Sequence, residues 1–275
     1  MKKEYKLIAS DLDGTLLNSE QNASPENLEA IREITRRGVK FVPSTGRCIG
    51  QMPEDIVKCE DIRYVISSDG AVVWDKQSDS IILSQYIPSD LVAYILDEAS
   101  KVNSFPMVHE NRQAYQPKAM LTEDYLKTCR VKHTFYKLIN GVNVSLPNFD
   151  EYIKASDKVE LFCIFFEKDD ELDEFCRKME ATGRLSIASS APYNVEIYSV
   201  NAGKGNTLKA LASKLGVDIS DVVAVGDSLN DKSLIEAAGL GLAMQNACDE
   251  LKDVAERTIC HFSEHSAKYI LENIL

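Results

Sequence analysis

Along the first ninety residues, short apolar runs alternate with stretches of helical period. Lys6 to Ser10 reads as a short buried strand. Ser24-Pro25-Glu26 opens a helix, with a capping hydroxyl, a proline in the first turn and an acid set against the helix dipole. Leu28, Ile31 and Ile34 then recur at helical spacing, and Gly38 supplies the stop. Val39 to Val42 predicts the next strand, which ends at Pro43-Ser44-Thr45-Gly46-Arg47; a second helix and the strand Tyr64 to Ser67 follow. Strand, helix and strand of this length predict parallel βαβ units with right-handed crossovers.

From Asp69-Gly70 the pattern turns hairpin-like, with strands over Ala71 to Trp74 and Ile81 to Tyr86. Between Ile87 and Ala188 helices mix with strands such as Lys158 to Phe166, without a regular βαβα rhythm. The helix from Pro88 carries Leu91, Val92, Ile95, Leu96 and Ala99 on one face and must pack on something. The rhythm resumes with a strand over Asn194 to Ser199 and a helix over Gly205 to Leu215. Val222 to Val225 is wholly apolar, as in a parallel strand covered on both faces. The short strand Gly241 to Met244 and further helices complete the chain. The expected fold class is α/β: a Rossmann-like parallel sheet core over residues 1–86 and 189–275, with an inserted α+β domain over 87–188.

Composition narrows the partners. The 275 residues are 44% hydrophobic and 27% charged, ordinary values for a globular protein large enough for one core and an inserted domain. A net charge of −12 disfavours nucleic acid and anionic membranes, which are bound by basic surfaces. The seven cysteines form no Cys-x-x-Cys pair, so neither a zinc ribbon nor a thioredoxin-like motif is indicated, and reduced, structural thiols are expected. Met1-Lys2-Lys3-Glu4-Tyr5 leads into a strand-like run and not into a signal-peptide core, and no apolar stretch is long enough to span a bilayer. A cytoplasmic protein with neither nucleic-acid nor membrane partners is the expectation.

Three polar clusters stand at the carboxyl ends of expected parallel strands: Asp11 with Asp13, Thr45 with Gly46, and Asp227 with Asn230 and Asp231. That edge of an open α/β sheet is where ligands bind. Two carboxylates at the mouth of a buried strand are costly, roughly several kcal/mol each if unpaired, so a metal or hydrogen bonds usually hold them, a solvated acidic turn with a local Asx bond being the alternative. Other motif readings fail. Gly203-Lys204 resembles the end of a P-loop, but Tyr198 stands where its first glycine belongs and Gly205 replaces the hydroxyl residue. Asp11-x-Asp13-x-Thr15 begins like a calcium loop, yet Leu16 holds the glycine position. His109, His133, His261 and His265 show no ligand-like spacing and read as surface or packing residues.

Taken together, Asp11-x-Asp13-Gly14-Thr15, Thr45-Gly46-Arg47, Lys204-Gly205 and Gly226-Asp227-x-x-Asn230-Asp231 resemble the four motifs of haloacid dehalogenase-like phosphatases of the Cof type, with a large cap inserted between the second and third. The likeness covers nearly the whole chain, including Gly239-x-Gly241-x-Ala243-Met244-x-Asn246-Ala247. It implies that Asp11 is the nucleophile, forming an aspartyl-phosphate, and that Asp13 is the general acid and base. It implies Mg²⁺ held by Asp11, the backbone carbonyl of Asp13, and Asp227, with Asp231 supporting the metal's waters or orienting Lys204. Thr45, the amides of Leu12 and Gly46, and Asn230 would grip the phosphoryl oxygens, and Lys204 would neutralise them. Arg47 is read as a local helix-entry residue outside the site.

The sequence departs from this pattern in three places: Cys48, where many relatives carry proline; Asp69-Gly70, where they usually carry Asn-Gly; and His261 to Ala267, where they show an Asn-rich turn. The resemblance implies a Mg²⁺-dependent hydrolase of small phosphorylated metabolites, sugar phosphates first and pyridoxal or flavin-related phosphates next. A hexose phosphomutase, using the same intermediate, and a non-catalytic binding protein are the alternatives. Tyr115, Tyr125, His133 and Tyr136 are candidates either for touching substrate from the cap or for packing within it.

Overall fold

A computed structural model describes residues 3–189 and 192–275, and of Thr134 the backbone alone; Met1 and Lys2 of the expected N-terminal reading lie outside the described residues. The chain divides into two units, one of Met1–Gly46, Met52–Ser84 and Gly203–Leu275, the other of Arg47–Gln51 and Gln85–Ala202.

The first unit opens with β1 (Leu7–Ser10), β2 (Lys40–Pro43), β3 (Tyr64–Ser67), β4 (Val72–Asp75) and β5 (Ser80–Ser84). The second contributes β6 (Ser104–Glu110), β7 (Gln113–Pro117), β8 (Val144–Leu146), β9 (Val159–Phe166), β10 (Leu185–Ala188) and β11 (Asn194–Ser199). The first unit closes with β12 (Val222–Gly226), β13 (Leu240–Ala243) and β14 (Arg257–Thr258).

In the first unit a parallel sheet runs in the order β14-β13-β12-β1-β2. The central strand β1 pairs Leu7–Ser10 with Val222–Val225 on one side and with Lys40–Pro43 on the other, and it is buried throughout. A bridge between Ser44 and Ile66 carries the sheet on to β3, which pairs antiparallel with β4 and then β5 as the expected hairpin. The helix Pro25–Arg36 starts as its sequence dictates, with the Ser24 side chain accepting from the Asn27 amide. Its inward face is turned slightly from the expected one: Asn27, Ala30, Ile31 and Ile34 are buried and Leu28 is only half-buried. Asn27 earns that place by donating to the Leu16 carbonyl at 2.9 Å and accepting from the Ala267 amide at 3.0 Å.

The second unit is a mixed sheet in the order β10-β11-β9-β6-β7-β8. One apolar cluster packs its Val108, Phe162, Ile164 and Phe166 against Leu91, Ile95, Ile153 and Phe175. Another gathers Phe105, Met107, Leu161, Cys163 and Phe165 with Leu126, Cys129 and Ile139. Successive residues of β6 and β9 thus serve opposite faces, as the pleat requires. The expected boundary at residue 189 needs correction. Asn194–Ser199 is a strand as read, but it pairs antiparallel with β9 and β10, so the second unit continues to Ala202. Its alternation of Val195 and Ile197 with polar residues states a strand without stating which sheet takes it. Residues 47–51 also join this unit, where the Gly50 amide donates to the Arg112 carbonyl at 2.8 Å and Gln51 Nε2 donates to Asn143 Oδ1 at 2.8 Å. Tyr125 and Tyr136 pack beside the second cluster and Tyr115 beside the first, while exposed His133 lies 5.1 Å from the Tyr136 ring.

His109 is buried in β6, opposite Ala114 and Leu161, and burial pushes its imidazole from the ordinary 6.5 down to about 3. The folded unit therefore holds it neutral where the unfolded chain would take up a proton. Its stabilising contribution is fully present above pH 6.5 and is lost as the pH falls towards 3, at up to about 1.4 kcal/mol per pH unit. Melting curves of His109→Gln should show a shallower acid limb than the parent between about pH 6 and pH 4; identical slopes would contradict this. None of the helices among the described residues is long and apolar enough to cross a membrane.

Candidate active site

The site lies at the carboxyl end of the parallel sheet, within the first unit. β1 delivers Asp11 there, with its amide donating to the Val225 carbonyl at 2.9 Å. The chain then makes a wide turn, closed by Leu17 N–H on the Leu12 carbonyl at 2.9 Å. Gly14 makes the turn possible. Its φ of +78° is left-handed, and a Cβ there would lie 2.5 Å from Asp227 Oδ2. The backbone of the first motif thus approaches the carboxylate of the fourth as closely as glycine permits.

Lys204 opens the helix Lys204–Lys214, and its side chain is wholly buried. Its Nζ donates to Asp11 Oδ1 at 2.8 Å and to Asp231 Oδ1 at 2.6 Å. The helix sits close because Gly205 faces the Ser233 backbone with no room for a side chain. The other Asp231 oxygen accepts the amides of Asp227 at 3.0 Å and Ser228 at 3.2 Å, so Asp231 both shapes the fourth motif and holds Lys204. Thr15 Oγ1 donates to Asp227 Oδ1 at 3.2 Å. Oxygens of Asp11, Asp227 and Asp231 lie within 4.8 Å of one another, a grouping able to hold a metal ion.

Electrostatics explain what such a grouping needs. Burial, reinforced by the charge of Asp231, holds Asp11 well above the usual carboxylate range; Asp227 is pushed up to about 7 for the same two reasons. Burial alone would lower Lys204, but the charges of Asp11, Asp231 and Asp69 outweigh it and leave its pKa raised. One ammonium serves more carboxylates than it can neutralise. Oxygen donors carrying surplus negative charge suit a hard divalent cation.

The expected residues are placed as follows. Asp11, Asp227, Asp231 and Lys204 meet directly. Asp13 follows in the turn with an exposed side chain, near enough for its charge to raise both Asp11 and Asp227, but outside the three-carboxylate group. Leu12 is buried in the same turn. Thr45 and Gly46 follow the end of β2, the Thr45 amide donating to the Ile66 carbonyl at 3.0 Å. Asn230 has its carboxamide held by Ser228 Oγ at 2.9 Å and Asp69 Oδ1 at 3.2 Å. Arg47, read as lying outside the site, donates to the Gln51 carbonyl in the second unit.

Sequence reasoning passed over the braces of this site. Asn246 Nδ2 donates to the Gly14 carbonyl at 2.8 Å, and its Oδ1 accepts the Phe262 amide at 3.1 Å. Ser266 Oγ donates to the Thr15 carbonyl at 2.9 Å. The divergent segment His261 to Ala267 is therefore a buttress of the turn that follows Asp11. Asp69, read only as half of a turn, is 1% exposed and reaches the site. Its signal was its place after β3, matching the other motifs' strand-end positions.

Residues 8–271 match the family model of haloacid dehalogenase-like hydrolases. The chain is 31% identical to Phosphatase YwpJ of Bacillus subtilis, over 98% of this chain and all of that protein. It is 31% identical to the 5-amino-6-(5-phospho-D-ribitylamino)uracil phosphatase YcsE of the same organism, over 92% of this chain and 89% of that one. A solved haloacid dehalogenase-like hydrolase from B. subtilis superposes with a TM-score of 0.83 at 30% identity, covering 98% of this chain and 100% of the other. This chain belongs to the haloacid dehalogenase-like hydrolase family, among the phosphoric monoester hydrolases that its relatives' names describe.

Proposed function

We propose that the chain is a Mg²⁺-dependent phosphatase of small phosphomonoesters, sugar phosphates foremost, working through a phosphoryl group carried on Asp11. The observation that carries this reading is the buried Lys204 ammonium, shared between Asp11 and Asp231 at a strand end where Asp227 also converges. A phosphate dianion brought to a carboxylate is repelled by about 4 kcal/mol per charge pair at ~4 Å and an effective dielectric near 20. Lys204 offsets part of that. Mg²⁺, which Asp11, the Asp13 carbonyl and Asp227 would hold, would supply the remaining positive charge.

The residues then divide the work. An Asp11 oxygen forms a bond to phosphorus as the bond from phosphorus to the ester oxygen breaks, and the Asp13 carboxyl gives its proton to the departing alkoxide. In the second half Asp13, now a carboxylate, takes a proton from water, whose oxygen bonds to phosphorus as the bond to Asp11 breaks. Exposure of Asp13 suits a group that must meet both leaving group and water. The Leu12 and Gly46 amides, Thr45 and Asn230 hold the phosphoryl oxygens, so that catalysis is mainly positioning and charge. The named activity of YcsE, on a ribityl phosphate, supports a phosphorylated polyol or sugar as the substrate class.

Phosphate release across sugar phosphates, nucleotides and pyridoxal phosphate tests this. Turnover is expected with Mg²⁺, to vanish in EDTA and return when Mg²⁺ is restored, with a sugar or polyol phosphate as the best substrate. Turnover indifferent to EDTA would remove the metal from the account. Conversion of one hexose phosphate isomer into another without release would make the chain a mutase.

A further inference from the structure

Between β3 and β4 the backbone does something expensive. Ser68, Asp69 and Gly70 have φ of +50°, +49° and +86°, three successive left-handed residues of which only one is glycine. Each left-handed non-glycine residue costs about 1–2 kcal/mol, and such strain persists only where the surroundings impose it. The turn is also buried, with Ser68 at 0% and Asp69 at 1% exposure, whereas the tips of β-hairpins ordinarily face water.

Its neighbours are the other motif loops. The Asp69 amide donates to the Thr45 carbonyl at 3.1 Å, and a Cβ on Gly46 would lie 3.3 and 3.5 Å from the two Asp69 oxygens. The Gly70 carbonyl accepts Thr207 Oγ1 at 2.6 Å, and a Cβ on Gly70 would lie 2.5 Å from the Gly203 carbonyl, just before Lys204. Asp69 Oδ1 accepts Asn230 Nδ2 at 3.2 Å. One strained turn therefore touches the second, third and fourth motifs at once.

We propose that Ser68-Asp69-Gly70 is a fifth loop of the phosphoryl site, in which Asp69 is a positioning residue that fixes which way the Asn230 carboxamide faces. The chemistry is that of donors and acceptors. An ionised carboxylate only accepts, so Asp69 selects the NH₂ side of Asn230. Ser228, on the other side at 2.9 Å, can donate or accept and selects nothing. With one N–H given to Asp69, the second N–H of Asn230 is left to meet a phosphoryl oxygen. The strain in the turn is what brings a carboxylate to that spot from the end of β3.

The proposal rests on the phosphoryl-transfer reading for its meaning, and its test separates the two. Asp69→Gly relieves the left-handed strain and removes the acceptor, so a residue that mattered only to the turn would leave a stable, active enzyme. We expect Asp69→Gly to melt at or above the parent's temperature yet to lose about ten- to a hundredfold in kcat/KM, the weight of one charge-assisted hydrogen bond. Asp69→Asn keeps an acceptor without enforcing the orientation, and should lose less than Asp69→Gly. In an Asn230→Ala background Asp69→Gly should cost almost nothing further, because the residue it positions is gone. Inorganic phosphate binding in Mg²⁺ buffer, read by calorimetry, should follow the same cycle and needs no turnover. A chain without phosphatase activity would sink the functional reading while the phosphate cycle still decides on Asp69. Full activity in Asp69→Gly, or an equal loss with and without Asn230, would overturn the proposal.

Discussion

Lys204→Met is expected to fold less stably and to lose at least about a thousandfold in kcat. The methionine keeps the aliphatic stem and removes the ammonium, whose Nζ lies 2.8 Å from Asp11 and 2.6 Å from Asp231 in a wholly buried position. Two consequences follow from the same loss. The carboxylates remain buried without their counter-charge, and breaking a buried ion pair from one side costs about 3–5 kcal/mol. The phosphoryl group then also meets Asp11 with no fixed ammonium to cancel the repulsion, in a site where such a charge acts most strongly. Thermal melting in EDTA reads the first effect and single-turnover kinetics with Mg²⁺ reads the second. A variant within tenfold of the parent in kcat would mean that Lys204 is only a structural pin.

Gly14→Ala, a change of one methyl group, should be nearly as damaging. The position has φ of +78°, where an alanine is strained by about 1–2 kcal/mol. The added carbon would also fall 2.5 Å from Asp227 Oδ2 and 2.9 Å from its carboxyl carbon, so Asp227 must move. Asp227 is tied to Thr15 Oγ1 and belongs to the group of three carboxylates able to hold a metal ion, so its movement disturbs that group and the turn after Asp11 together. We expect Mg²⁺ affinity, followed by calorimetry, to fall at least about tenfold and turnover to fall with it. An alanine variant that binds Mg²⁺ as the parent does would show that the approach of Gly14 to Asp227 has no part in holding the metal.

Much of the parallel core was legible because its signals are local. Val222–Gly226 reads as a covered strand from its unbroken apolar run, and Asp227 after it gains weight from sharing a strand-end position with the other polar clusters. The same holds for Asp11 after Leu7–Ser10. What the sequence hid were decisions made by partners far along the chain. Asn194–Ser199 reads as a strand in any sheet, and its antiparallel pairing with β9 is a tertiary choice. Asn27 sits at a helix position that periodicity treats as polar, yet it is buried between the turn that follows Asp11 and the C-terminal helix. Asp69-Gly70 announces a turn in any sequence. Its burial between three motif loops follows from bridges such as Ser44 to Ile66, which set β3 beside β2.

The measurement closest to the centre of this account is the chemical state of Asp11 during turnover. The parent enzyme, mixed with Mg²⁺ and p-nitrophenyl phosphate and quenched in acid, should carry a phosphoryl group on the peptide that contains Asp11. Asp11→Asn should carry none and should release no nitrophenol. A phosphoryl group found on another residue, or turnover that survives the asparagine, would contradict the assignment of Asp11 as the nucleophile.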